Sequence, residues 1–456
     1  MSGERPLALR LAEFATETGI DAIPAQAMER AKMSLASTVA SAARGFDIAS
    51  ARIVRTLEQQ NGGASEATVW FAGSRLPLCA AARVNAVASD AAASDDSDLR
   101  SIAHIGTIIS ANSIAIGEKC GAAGSDILAA MVVGYEIAGR LDEALTPGRM
   151  QRGFHGSVST VFAGTVAAGR LLRLTTAEMA NAIALAATSI GGMAIAADSS
   201  WAREYHAGCS AASGLQAALA AQAGFTSELE VLDHPRGFLA AMGGQALEDI
   251  TRDWGASWDI VTDMAIKLMP GAHPFHATAE AAADAARLGN VMPEDIEGIV
   301  ISAAVQWTNF KGEPDPRNLV DAAHSLFYFV AAAIADGGFG WQHMETDKMA
   351  DPVIAALQTK VSFDPAPPPL PDRFPHRHGG TVIIRMKNGD EFRSTCKAPR
   401  GSGPRGVAWS DIEAKYRALM PRAGLASDRI EASLAFIRDF DDVDAADRLI
   451  SLIGRP

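Results

Sequence analysis

The residues best suited to chemistry lie in Trp201-Ala-Arg-Glu-Tyr-His-Ala-Gly208. There Arg203, Glu204, Tyr205 and His206 stand between two stretches, Met179 to Ala197 and Ala207 to Phe225, that carry no charge. Burying a guanidinium, a carboxylate and an imidazole among apolar helices costs desolvation unless each finds a partner. Ionisable groups kept in such a frame mark candidate functional sites, although structural ion pairs give the same pattern. His104 and His155 fall in similar settings, and each of the three histidines has a glycine within two positions (Gly106, Gly156, Gly208). Imidazole alone titrates near neutral pH without help, and glycine lets a ligand approach the backbone. A single such histidine is more often a core residue, whereas three plus Arg203 point to a shared pocket. Further along, Lys267, His273, His276 and Tyr328 lie near expected helix starts or on a buried face.

This set fits proton transfer next to a carboxylate. The reaction needs a neutral base, an acid on the other face and a cation to hold the substrate. His104, His155, His276 and Tyr328 are the candidate catalytic groups, with Arg203 a two-pronged carboxylate clamp. Other chemistries are disfavoured. There is no GxSxG or GxxxxGK[ST] motif. The single GxGxxG match, Gly401-Ser-Gly-Pro-Arg-Gly406, reads as linker because Pro404 removes a backbone donor. His273 and His276 are three apart, but Pro274 argues against a regular helix there and no HExxH accompanies them, so no metal is expected. The run Ser94-Asp-Asp-Ser-Asp98 reads as a solvated loop and helix cap rather than a magnesium site.

The elements that must position these groups are mostly helices. Apolar spacing predicts helices over 6–18, 27–44, 48–60, 78–93, 107–117 and 124–145, the last capped by Ser125-Asp126. Phe154-His-Gly-Ser157 opens another, and Thr175-Thr-Ala-Glu178 resembles a capping box for the uncharged helix after it. Composition changes near Asp263. Beyond it come a helix over 277–288, a strand over 296–305, a long helix over 319–335 and a strand over 359–363. A proline-rich crossing over 366–371 leads to a hairpin, 381–386 with 391–397, around Lys387-Asn-Gly-Asp390. Residues 409–456 are helical again. The expected architecture is mainly α: a large helical domain from both chain ends, 1–262 and 403–456, with a smaller α+β domain inserted over 263–402.

With 456 residues, 48% hydrophobic and a net charge of -13, the chain has no global field for nucleic acid. Its uncharged runs are too rich in Ala, Gly and Ser for good membrane spans. Four scattered cysteines without CxxC spacing, and no apolar signal run after Met1, suggest a reducing cytoplasm.

Several motifs in order resemble the MmgE/PrpD family, which includes 2-methylcitrate dehydratase, cis-aconitate decarboxylase and iminodisuccinate epimerase. They are Asn85-Ala-Val-Ala-Ser-Asp-Ala-Ala-Ala-Ser-Asp-Asp-Ser97, Gly134-Tyr-Glu-Ile-Ala138, Phe154-His155 and His206-Ala-Gly-Cys-Ser-Ala-Ala-Ser-Gly214. Ala223-Gly-Phe225, Lys267-Leu-Met-Pro270 ahead of His276, and His324-Ser-Leu-Phe-Tyr328 ahead of Asp336-Gly-Gly338 continue the series. The resemblance implies a helical domain, an inserted lid, a homodimer and a metal-free, cofactor-free site between the domains. Its pocket positions fall on Asp96, Ser97, His104, His155, Arg203, His276 and Tyr328, with His206 in the Arg203 motif and Lys267 as a further substrate contact. Two positions depart from the pattern. Ala93 stands where the family's D-F-D-D-[ST] run opens with an acid, and Arg203 where it has lysine. Arginine keeps the charge but cannot pass on its proton.

The resulting expectation is a lyase or dehydratase that takes the α-proton of a small polycarboxylate with His155 or His104. Tyr328 or His276 would protonate the leaving hydroxyl. Epimerisation or decarboxylation by the same groups are alternatives, as is a family member that only binds an anionic metabolite.

Overall fold

The computed structural model describes residues 5–100, 102–189, 191–245, 247–303, 316–367, 378–403 and 405–454. The fold is mainly α. Contacts divide the chain into two units, one holding the described residues up to Ile266 and from Trp409 onward, the other Lys267–Ala408.

The first unit is built from long helices rich in Ala, Gly and Ser, whose small side chains let helix axes approach closely. Helix Ala25–Gly45 is buried without interruption from Met33 to Ala43. Helix Gly124–Leu145 packs on Ser157–Leu171, and Ala202–Gln222 packs on both Leu78–Ala91 and Ser157–Leu171. The C-terminal helix Trp409–Leu419 lies on Ala25–Gly45. From it the buried Lys415 ammonium donates to Ser37 Oγ (2.7 Å) and to the Ser94 carbonyl. No helix among the described residues is long and apolar enough to cross a membrane.

The second unit pairs a four-stranded sheet with helix His273–Leu288. Strand Ile296–Ala303 lies parallel to Val361–Phe363 and antiparallel to Gly380–Met386, which forms the expected hairpin with Glu391–Cys396.

Several local expectations need correction. Ser94 to Asp98 is not solvated: all five residues are fully buried, and Asp96–Asp98 is a strand antiparallel to Met264–Ile266. Its polar groups find partners from distant parts of the chain, which a local reading could not supply. The uncharged run after Thr175 is helical only over Thr176–Ala186 and Ala194–Ser199, with Gly191-Gly192 between them. Residues 319–335 form two helices, Leu319–Ala323 and Leu326–Asp336, because the Ser325 hydroxyl accepts the Tyr328 N–H and caps a new start. Helix Gly124–Leu145 begins after Ala123 without a side-chain cap. Pro274 sits in the first turn of its helix, where its missing N–H is harmless, so His273 and His276 share one helical turn. The Thr175–Glu178 capping box is present. The ends of the 296–305 strand and of the proline-rich crossing, and Pro404, lie outside the described residues.

Beyond the buried strand, Arg100 gathers four carboxylates: Asp98 (3.8 Å), Asp259 (2.5 Å), Asp263 (3.1 Å) and Glu143. Burial pushes Asp98 up to about 7 despite Arg100, and Asp96 up to about 6. Burial also raises Glu204 to about 7. A carboxyl whose folded pKa exceeds its unfolded value stabilises the fold while protonated, and that contribution is lost as pH rises through the folded value. His155, His206 and His343, which burial keeps neutral, oppose this trend only below about 6.5, the unfolded pKa of histidine. Between pH 6.5 and about 7.5 stability is therefore expected to fall with pH, and to level off above it. A denaturant midpoint that rises across this window would contradict the assignment.

Candidate active site

His104, His155, His206 and Arg203 come together in the first unit. The rings of His104 and His155 are 6.1 Å apart and those of His155 and His206 are 5.8 Å apart. His104, His155 and Arg203 line one narrow cavity with Asp90, Ser157 and Thr160, and Ile108 and Ala207 supply its apolar wall.

Each group is set by the start of a helix. His104 is the residue before helix Ile105–Cys120. That start is held by Asp96, which accepts the Gly106 N–H (2.8 Å) and the Ser34 hydroxyl (2.5 Å). A Cβ on Gly106 would lie 2.1 Å from the Asp96 carboxylate, so only glycine allows this approach. The turn leading in is strained: Ala93 and Ile102 have φ of 50° and 62°, a region that side chains disfavour. His155 precedes helix Ser157–Leu171, and its N–H donates to the Gly192 carbonyl (2.9 Å). Arg203 and His206 lie in the opening turns of Ala202–Gln222 rather than between helices. Of their neighbours Glu204 is buried, but Tyr205 is exposed.

The hydrogen bonds assign different roles to the imidazoles. His104 Nδ1 is 2.5 Å from Asp95 Oδ2, which also accepts the Thr107 hydroxyl (3.1 Å). A carboxylate there fixes the proton on Nδ1 and leaves Nε2 of a neutral ring free to accept one. His155 is the reverse case. Its Nδ1 accepts the Ser157 backbone N–H (3.3 Å), so the neutral ring carries its proton on Nε2. Burial, aided by neighbouring His104 and Arg149, holds the His155 pKa well below its usual value, so the ring is neutral. Burial also lowers His206, whose Nδ1 has no hydrogen-bond partner among the described residues.

Arg203 is not an open two-pronged clamp. Its Nε donates to Asp90 Oδ2 and its Nη2 to the Asp90 carbonyl, both at 2.8 Å, with Glu204 at 3.7 Å. Asp96 and Ser97 stand on the buried strand and do not line the cavity. Asp90 and Asp95 take the places nearest the histidines, and neither was singled out from the sequence. Asp90 had a readable signal, being the only charged residue between Arg83 and Asp95.

Asp90, Asp95 and His104 lie close enough to share a cation. His104 Nδ1 and Asp95 Oδ2 are already paired with each other, and a guanidinium bound to Asp90 opposes a divalent ion electrostatically.

Lys267, His276 and Tyr328 belong to the second unit. Lys267 is buried beside its first helix. The His273 and His276 rings are 4.6 Å apart, and His276 stacks on Phe329. The Tyr328 hydroxyl donates to the His343 carbonyl (2.7 Å), and burial raises its pKa. As it stands that phenol proton is engaged within its own unit.

Two known family models match the sequence. The MmgE/PrpD N-terminal domain matches residues 9–249 and the MmgE/PrpD C-terminal domain residues 269–436. The chain belongs to the MmgE/PrpD family. Curated relatives include cis-aconitate decarboxylase of Mus musculus, 28% identical over 407 residues, covering 86% of this chain and 82% of the relative. Cis-aconitate decarboxylase of Homo sapiens is 28% identical over 403 residues, with 85% and 82% covered. That of Aspergillus terreus strain NIH 2624 is 24% identical over 422 residues, with 86% and 84% covered.

Gly192 supports the histidine group from outside. A Cβ there would lie 2.5 Å from Ser157 Oγ and 3.1 Å from His206 Nδ1. Gly192→Ala is expected to lower turnover by about tenfold to a hundredfold through misplacement alone. The thermal midpoint should change little. Unchanged kinetics would show that Ser157 and His206 tolerate the shift.

Proposed function

We propose that this chain is an enzyme that transfers a proton at the carbon next to a carboxylate of a small polycarboxylate, as a lyase needing no cofactor. The observation that carries the reading is the His104–Asp95 pair, whose remaining ring nitrogen is a base, beside the neutral His155. In the hydro-lyase form His104 Nε2 takes the α-proton, the C–H electrons form the double bond, and the β-hydroxyl leaves as water with a proton from an acid. His155 Nε2–H is suited to hold the substrate carboxylate as negative charge develops. Lys267, His276 and Tyr328 are proposed to serve the same reaction, with His276 or Tyr328 as the acid. Support for this part comes from the motif positions, and a His276→Ala variant with unchanged kcat would remove His276 from it. A homodimeric assembly is proposed on the same resemblance, and light scattering tests it.

A second reading is decarboxylation, favoured by relatives named cis-aconitate decarboxylase. Loss of carbon dioxide leaves a carbanion that a protonated His104 could quench. Return of the proton to the opposite face would instead give epimerisation. Incubation of di- and tricarboxylic acids in deuterated water separates the three. An unsaturated product marks a hydro-lyase, carbon dioxide a carboxy-lyase, and deuterium with inversion an epimerase. If no acid reacts or exchanges, proton transfer is the wrong reading and binding of an anionic metabolite replaces it.

A further inference from the structure

We infer that Asp90 is a specificity-determining residue, and that the substrate presents to it a hydroxyl or ammonium group carried on the carboxylic acid. This inference rests on the proposed function for its site and deepens it by naming the substrate's chemistry.

Among the residues lining the cavity, Arg203 is the one fixed cation, and it is turned onto Asp90 through both Nε and Nη2. With Asp95 behind His104, two carboxylates face a single guanidinium, and His155 is neutral. Next to Asp90 itself that balance disfavours a ligand carboxylate.

Hydrogen bonding points the same way. Asp95 Oδ2 accepts from His104 and Thr107, and Asp90 Oδ2 accepts from Arg203. Asp90 Oδ1 has no hydrogen-bond partner among the described residues, although the side chain is 1% exposed and the residue lies on the cavity wall. It is 3.6 Å from His104 Nδ1, whose proton is directed to Asp95. A buried acceptor on a cavity wall is completed by an entering donor, a water or a group of the ligand that displaces it. A site built this way discriminates against analogues that lack the donor, because they leave its oxygen unpaired. The donor sits next to His104, where a hydroxyl or amine on the carbon adjoining the reacting centre would fall.

Three probes share a four-carbon skeleton and differ only at one carbon: succinate has no donor, malate a hydroxyl and aspartate an ammonium. Calorimetric titration of the full-length protein is expected to show malate or aspartate binding at least tenfold more tightly than succinate. Aspartate ahead of malate identifies a cationic donor, and the reverse order a hydroxyl. In Asp90→Asn the amide oxygen must face the Arg203 N–H, which turns the NH2 towards the cavity and reverses its hydrogen-bonding sense. The preference should then disappear or invert. Succinate binding as tightly as the others, no binding by any probe, or a preference that survives in Asp90→Asn would overturn the inference. The wild-type comparison stands without the variant, should that variant fold poorly. Binding is read without turnover, so the two ideas fail separately. Proton exchange without donor preference sinks this inference alone, and donor preference without exchange sinks the proton-transfer reading alone.

Discussion

Replacing His104 with Asn is expected to lower turnover by about a thousandfold, within the range set by losing a positioned base. The ring nitrogen opposite Asp95 would be gone, while the thermal midpoint should hold because His104 lies at a helix start, outside the regular hydrogen-bond ladder. Asp95→Asn should cost about a hundredfold or more by a different route. An amide can present an N–H to His104 Nδ1, which drives the proton onto Nε2 and removes the acceptor the reaction needs. The acidic limb of the kcat/KM profile, where the base takes up a proton, should shift in Asp95→Asn and vanish in His104→Asn. If His104→Asn retains full turnover of a substrate found by the deuterium experiment, His104 is not the base.

The second large effect concerns stability. Arg203→Met leaves Asp90 and Glu204 buried without the guanidinium between them. Breaking one partner of a buried ion pair costs about 3–5 kcal/mol, because the survivor keeps its desolvation cost. Equilibrium denaturation should show that loss, and pairing the change with Asp90→Asn should recover part of it. An Arg203→Met protein as stable as the parent would mean that the Arg203–Asp90 contact contributes nothing to the fold.

Local chemistry made several elements readable. Thr175 and Glu178 announce their helix start, and Lys387-Asn-Gly-Asp390 its hairpin, because both signals are complete within a few residues. The histidines were readable as a group because imidazoles in apolar, glycine-flanked settings are unusual whatever the fold. What escaped depends on distant partners. Asp95 and Asp96 looked solvated because nothing near them in sequence could satisfy a buried carboxylate. Their partners are Ser34, Gly106, Thr107 and His104, with Lys415 holding the preceding Ser94 carbonyl. Arg203 reads as a substrate clamp in the sequence because its partner Asp90 lies 113 positions away. The break at Ser325 was hidden by a strongly apolar run, since one capping hydroxyl outweighed the continuous helical pattern.

The crowd of carboxyls around Arg100 has a calorimetric consequence. Asp98, Asp259, Asp263 and Glu136 all hold protons more firmly when folded, since burial outweighs the arginines nearby. Melting the protein near pH 6.5 therefore hands protons to the buffer. The measured heat should differ between phosphate and imidazole by an amount set by each buffer's own ionisation enthalpy, giving the net number of protons released.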